Sequence, residues 1–294
     1  MTAASLALFP LMAGPRRTAR VLTIVPGAVY LQLDPVDSAD ASDGKDRSGA
    51  VIALLEPDAV QLPFGLVLPA SAAELIPVSV AGSPVSRGPI ILGWGFLDLA
   101  GTRLPVLRWW NPGVPVLELP PPALAPSAGP SSSGADDVPN LTEELTEELT
   151  EELAEELAGG LAALRAGEAE RAVRQLIGVG PGLIPEGDDV LCGALAALAA
   201  WAPDSAERRE LAEAVVAAAD RTTVISAALL QAAVAGSVVP ELGALLTAIG
   251  TGGPEAVNRA RAELIRVGPG SGAAVAAGAL RQYTRLSQTV RRAA

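Results

Sequence analysis

From Met1 to about Leu119, apolar residues come in short runs that glycine and proline interrupt. The clearest are Val21–Val25, Val29–Leu33, Val51–Leu55, Phe64–Leu68, Pro89–Leu92 and Phe96–Leu99. They are rich in β-branched residues and leucine, and Pro26-Gly27 between the first two marks a tight turn. Strands this short and this frequent predict a small barrel or sandwich. The polar stretch Asp34–Gly49 reads as a long hairpin tip.

After Gly159 the pattern changes. Alanine and leucine recur at helical spacing, which predicts helices over Ala169–Ile177, Asp188–Trp201, Ala206–Ala219, Thr223–Ala235, Leu242–Ile249, Pro254–Ile265 and Gly272–Leu286. Breaks fall at Pro203, Pro240, Gly250–Gly253 and Pro269. The predicted fold class is therefore α+β: a β-rich N-terminal domain (1–119), a Pro/Ser-rich linker (120–140) and an all-α C-terminal domain (141–294). The linker carries Pro120-Pro121-Pro122 and Ser131-Ser132-Ser133. The helical domain opens on a four-residue repeat, Leu141 to Leu157, of the Leu-Thr-Glu-Glu type. At that period each leucine drifts by ~40° around a helix, giving a slanting stripe. Two readings stand: an exposed acidic helix produced by repeat expansion, and a partner-binding helix.

Composition narrows the chemistry. The chain has no histidine and one cysteine, Cys192. That excludes a Ser–His–Asp triad, a Cys–His pair, an imidazole zinc site and an intrachain disulfide. The formal charge is −12, but Glu143 to Glu156 contains eight glutamates and no basic residue, so the rest carries −12 + 8 = −4. With no basic stripe, no nucleic-acid partner is expected. The apolar start precedes Arg16, Arg17 and Arg20, the wrong order for a secretory signal. The longest helix-like apolar run, Val190 to Ala202, is 13 residues, where a membrane span needs roughly 20. A cytoplasmic protein with no membrane association is expected.

The most informative segment is Ile177-Gly-Val-Gly-Pro-Gly-Leu-Ile-Pro-Glu-Gly-Asp-Asp189, which runs into an apolar helix. Glycines let backbone amides approach a ligand, and a helix N-terminus favours phosphate or carboxylate. Asp188 and Asp189 complicate this. They cap the helix, or they bind a substrate amide or a cation. Beside an anion they would repel it unless Mg²⁺, a basic side chain or a substrate amino group intervenes. A second loop, Ile265-Arg-Val-Gly-Pro-Gly270, echoes the first 88 residues later and continues into Ser271-Gly272. Each is followed by Gly-Ala-Leu, at Gly193 and Gly278, which suggests two related helical units with their helix N-termini facing one cleft, or simple loop convenience. Between the loops, Thr222 and Ser226 share a helix face with Thr223 nearby. Their hydroxyls either bond the preceding turn or line a polar pocket with Arg221 as anion clamp. Cys192 reads as buried filler.

These motifs resemble the AllH (YlbF) family. The string Gly178-Val-Gly-Pro-Gly-Leu-Ile-Pro-Glu-Gly-Asp-Asp189 is similar to its glycine-rich signature, which typically ends Gly-Leu-Thr-Pro-Ser-Gly-Asp-Asp. Arg221-Thr222-Thr223 with Ser226, the late Gly268–Gly272 and Trp110-Asn111-Pro112 match in order and rough spacing. Ile184 and Glu186 stand where threonine and serine are typical, and Pro269 where a polar residue is. The resemblance implies a subunit of oxamate carbamoyltransferase, working with FdrA-type and AllG-type partners on oxamate and carbamoyl phosphate.

On that reading Gly180, Gly182 and Gly187 hold phosphate through backbone amides, with Gly270, Ser271 and Gly272 forming a second cradle. Thr222, Thr223 and Ser226 orient the substrate, and Arg221, Asp188 and Asp189 act on it. Two other readings remain. One is a non-catalytic scaffold whose helical face binds a partner subunit. The other is a Mg²⁺-dependent hydrolase using Glu186, Asp188 and Asp189. The sequence specifies no cofactor; Mg²⁺ is the one candidate, and Asp188 and Asp189 are its candidate ligands.

Overall fold

A computed structural model describes residues 1–34, 49–69, 78–80, 83–85, 88–119, 138, 141–142, 144–145, 155–268 and 270–293. Most of the predicted hairpin tip, of the linker and of the tetrapeptide repeat lies outside the described residues. The chain divides into two compact units, Met1–Pro112 and Gly113–Ala294.

The first unit is built on β1 (Ala3–Ser5), β2 (Arg17–Val25), β3 (Ala28–Leu33), β4 (Val51–Leu55), β5 (Gly65–Val67), β8 (Ile90–Gly93), β9 (Phe96–Leu99), β10 (Thr102–Pro105) and β11 (Arg108–Trp110). These form one sheet of order β10-β9-β8-β2-β3-β4-β5-β1-β11. Two short strands, β6 (Val78–Val80) and β7 (Ser83–Val85), form a separate ribbon. Gly27 turns the β2–β3 hairpin at φ +79°, a conformation glycine adopts without strain. All five residues of β4 are buried, as a central strand demands. The strands at the two ends of the sheet, β10 and β11, are consecutive in the chain. Only Val106 and Leu107 separate them, and their amides bond to Gly95 and Thr2 carbonyls. The sheet therefore curls back on itself, as a barrel-like reading requires. Sequence patterning missed β1, because three residues carry too little periodicity, and the five-residue helix α1 (Phe9–Ala13) behind it.

The second unit contains α2 (Ala158–Ala166), α3 (Ala169–Leu176), α4 (Glu186–Trp201), α5 (Ala206–Ala217), α6 (Val224–Val234), α7 (Pro240–Thr251), α8 (Pro254–Ile265) and α9 (Ser271–Ala293). Local chemistry sets most of their ends. Ser205 caps α5 and Thr223 caps α6 through side-chain oxygens. Pro240 and Pro254 start α7 and α8. The segment Gly113–Leu119 runs along these helices, with the Val114 amide on the Gly236 carbonyl and the Leu117 amide on that of Ala200. Two repeat leucines enter the core: Leu145 is 5% exposed and Leu157 is 1% exposed.

Helix α4 is the axis of this unit. Fourteen of its 16 residues are buried, so its apolar run marks a helix enclosed on every side rather than a membrane span. Among the described residues no helix is long and apolar enough to cross a membrane. One hydrophobic cluster packs on α4 through Val190, Leu191, Leu195 and Leu198. A second packs through Ala196, Ala197, Ala200 and Trp201. Helix α9 crosses α4 at glycines from both sides. A Cβ on Gly193 would stand 2.0 Å from the Val275 carbonyl oxygen, and a Cβ on Gly278 would stand 2.0 Å from that of Val190. Neither helix can carry a side chain at this crossing.

Gly193→Ala should therefore lose about 3 kcal/mol or more in denaturant unfolding, because the obstacle is backbone and cannot rotate away. Gly243→Ala in α7, where a Cβ meets nothing within 4 Å, should gain about 0.5–1 kcal/mol from helix propensity.

Candidate functional site

The close α4–α9 crossing places the two glycine loops beside each other, because each loop feeds the N-terminus of one of these helices. A Cβ on Gly270 would lie 2.5 Å from Oε1 of Glu186, the first residue of α4. The Ser271 hydroxyl hydrogen-bonds the Asp189 side chain. Gly178, Gly180, Gly182 and Gly270 have φ of +74°, +112°, +96° and +84°, values that any other residue adopts only with strain. Gly187 and Gly272 are required for a different reason. A Cβ there would stand 2.0 Å from the Leu176 carbonyl oxygen and 2.2 Å from that of Leu264.

The echo between the loops is longer than its motif suggested. Leu176-Ile-Gly-Val-Gly-Pro-Gly182 and Leu264-Ile-Arg-Val-Gly-Pro-Gly270 precede the helices, and Gly-x-x-Val-x-x-Gly-Ala-Leu begins at both Gly187 and Gly272. The second loop is three residues shorter, which is why a fixed offset hides the match. Equivalent residues make equivalent contacts: Gly187 with Leu176 as Gly272 with Leu264, and Gly193 with Val275 as Gly278 with Val190. The site lies between two related halves.

The two aspartates have different surroundings. Asp188 is fully buried. Its Oδ1 accepts the Gly178 amide at 2.8 Å, and its Oδ2 accepts the Ser226 hydroxyl at 2.6 Å together with the Thr222 hydroxyl. One carboxylate thus ties the first loop and α6 to α4. Thr223 adds a strap: its hydroxyl donates to the Leu183 carbonyl at 2.7 Å and accepts the Ser226 amide at 3.0 Å. The hydroxyls of Thr222, Thr223 and Ser226 thus bond across to the loop and to Asp188. The Gly187 amide donates to the Val179 carbonyl at 2.9 Å.

Asp189 is 5% exposed, and its Oδ2 is buried without a hydrogen-bond partner. Burial pushes its carboxyl up to about 7, with the charges of Asp188 and Glu186 acting in the same direction and the Ser271 hydrogen bond acting against them. Arg221 is exposed, and its guanidinium donates to the Arg174 carbonyl at 3.1 Å, at the C-terminal turn of α3. Its own backbone carbonyl lies against the first loop, 2.5 Å from where a Cβ on Gly178 would stand. Cys192 packs against the α4 cluster, and burial, with Asp189 and Asp188 nearby, pushes its thiol well up. That keeps it a poor nucleophile.

Among the described residues no group of three or more His, Cys, Asp or Glu side chains is arranged to hold a metal ion. The donors that occupy both oxygens of Asp188 also argue against its serving as a metal ligand. Two residues matter more than their motif suggested. Gly178 supplies the amide that Asp188 grips, and Glu186 faces the second loop. The positive φ of Gly178 was foreshadowed by its place at the head of the loop, whereas nothing local in the sequence pointed Glu186 at Gly270.

Residues 176–283 match the family model described as oxamate carbamoyltransferase subunit AllH. The helical unit is AllH-like over that span, which begins at the end of α3 and includes both loops. No curated protein and no solved structure matches the chain.

Asp188→Ala should cost about 3 kcal/mol in equilibrium unfolding, since it strands one buried amide and two hydroxyls. Asp189→Asn should act oppositely at alkaline pH. Asp189 holds its proton more tightly folded than unfolded, so its effect on stability is most favourable below its ordinary value of 3.8 and is lost as pH rises through about 7. Thermal melts should show the variant about 2 kcal/mol more stable than wild type at pH 8, with the gap closing on acidification.

Proposed function

We propose that the helical unit binds a small anion of the oxamate or carbamoyl phosphate type between its two glycine loops and serves as a subunit of an oxamate carbamoyltransferase-type complex. The observation that carries this reading is the meeting of both loops at Glu186, at the start of α4, beside Asp189, whose buried Oδ2 has no partner, inside the segment that matches the family. Helix N-termini and open glycine backbone suit phosphate or carboxylate. Carbamoyl transfer needs a stabilised oxyanion more than an activated nucleophile, which suits a chain without histidine.

The residues divide the work. Gly180, Gly182 and Gly270, with Ser271, border the ligand, and Gly187 and Gly272 let the helices start this close. Asp188, Thr222, Thr223 and Ser226 position the first loop rather than touch substrate. Asp189 touches it, and Arg221 meets its charge after releasing the Arg174 carbonyl. FdrA-type and AllG-type partners complete the catalytic assembly.

A second reading, a scaffold subunit without a ligand of its own, draws support from the internal bonds of all three hydroxyls. Thermal unfolding separates the two. Oxamate, phosphate or carbamoyl phosphate at 100 times its dissociation constant should add ~2.7 kcal/mol of stability, with or without Mg²⁺, and Gly270→Val, which drives a side chain against Glu186, should abolish the shift. No shift with any of the three would favour the scaffold.

A further inference from the structure

Asp189 stands where the two loops meet, and its surroundings are those of a neutral acid. The charges acting on it from its own helix are Asp188 and Glu186, both negative, and α9 presents only the uncharged Ser271 hydroxyl. Cys192, one turn further along α4, is a thiol kept protonated by burial. Among the described residues no basic side chain from α3, α5, α6, α7 or α9 acts on Asp189. None of the ion pairs there involves Glu186, Asp188 or Asp189. Asp188 accepts three hydrogen bonds, but Asp189 has an oxygen left over. An ionised carboxylate with no cation and an unmet oxygen is strongly disfavoured in a buried position. A proton on that oxygen relieves the charge and turns an orphan acceptor into a donor.

We propose that Asp189 meets the ligand as a neutral carboxylic acid, donating a hydrogen bond from Oδ2 to an oxygen of the bound anion, so that anion binding and protonation of Asp189 are one linked event. The inference rests on the anion-binding reading above and adds its specificity: the site takes an oxyanion whose acceptor oxygen meets a protonated acid, and it rejects the same anion once that acid ionises. The carboxyl titrates near 7, so the change falls within an accessible pH range. Below that value the donor is present before the ligand arrives. Above it each anion must bring a proton, and affinity falls towards about tenfold per pH unit.

Calorimetric titration of the full chain with oxamate and with sulfate tests this from about pH 6 to about pH 9, a range in which neither ion titrates. Wild-type affinity should fall steeply above pH 7. Repeating the alkaline titrations in buffers of different ionisation enthalpy should show uptake of about one proton per anion, a readout that needs no variant. Asp189→Asn, which carries a permanent N–H donor, should lose the pH slope and bind oxamate more tightly than wild type at the alkaline end. A wild-type affinity that stays level or rises with pH, or a slope that survives in Asp189→Asn, would overturn the role given to Asp189. Binding of neither ion at any pH, in either protein, would instead overturn the anion-binding reading, and this inference with it.

Discussion

The helical unit depends on one contact: the backbones of α4 and α9 touching at Gly193 and Gly278. With no side chain between them the helices come as near as their backbones permit, and each glycine lies against a carbonyl of the other helix. The placement of both glycine loops follows from that approach. Because α4 and α9 each begin at a glycine-rich loop, holding the helices together holds the loops together. A larger residue at either crossing position would part the loops before it altered any residue within them.

The first turn of α4 shows how neighbouring acids acquire different properties. Asp188 and Asp189 are adjacent, both are buried, and both sit near the positive end of a helix dipole. Asp188 is surrounded by donors from Gly178, Thr222 and Ser226. Asp189 has one hydroxyl, two like charges and an unmet oxygen. The first environment makes a brace of its carboxyl, and the second suits a group that gains or loses a proton. Glu186, where the AllH-like signature has serine, is one of the two charges that push Asp189 upward, so a single change at the helix start alters the electrostatics of the whole site.

Much of the fold was legible in the sequence because periodicity is local. The β2–β3 hairpin, β4, β9 and all the predicted helices lie close to where apolar spacing put them. What escaped was set by tertiary contact. The three-residue β1 exists because β5 and β11 flank it. The repeat reads as an exposed acidic helix or as a partner-binding one, and Leu145 and Leu157 are in fact buried within the unit's own core. At the site, the glycine loops and acids were visible as a motif. Their pairing was only hinted at, since the three-residue difference in loop length shifts the register of the two halves. The hydroxyls of Thr222 and Ser226 gave no sign in sequence that they turn towards Asp188, because that contact spans more than 30 residues of chain.

Asp189 combines burial, an unmet oxygen and a carboxyl pushed up to about 7. The most direct measurement follows its side-chain carboxyl carbon by NMR in protein labelled at aspartate, assigned with Asp189→Asn. The expected result is a carboxyl that titrates near 7 in the free protein, and whose resonance moves and whose titration shifts upward when oxamate is added. A carboxyl that titrates with ordinary exposed aspartates and is unmoved by oxamate would contradict it.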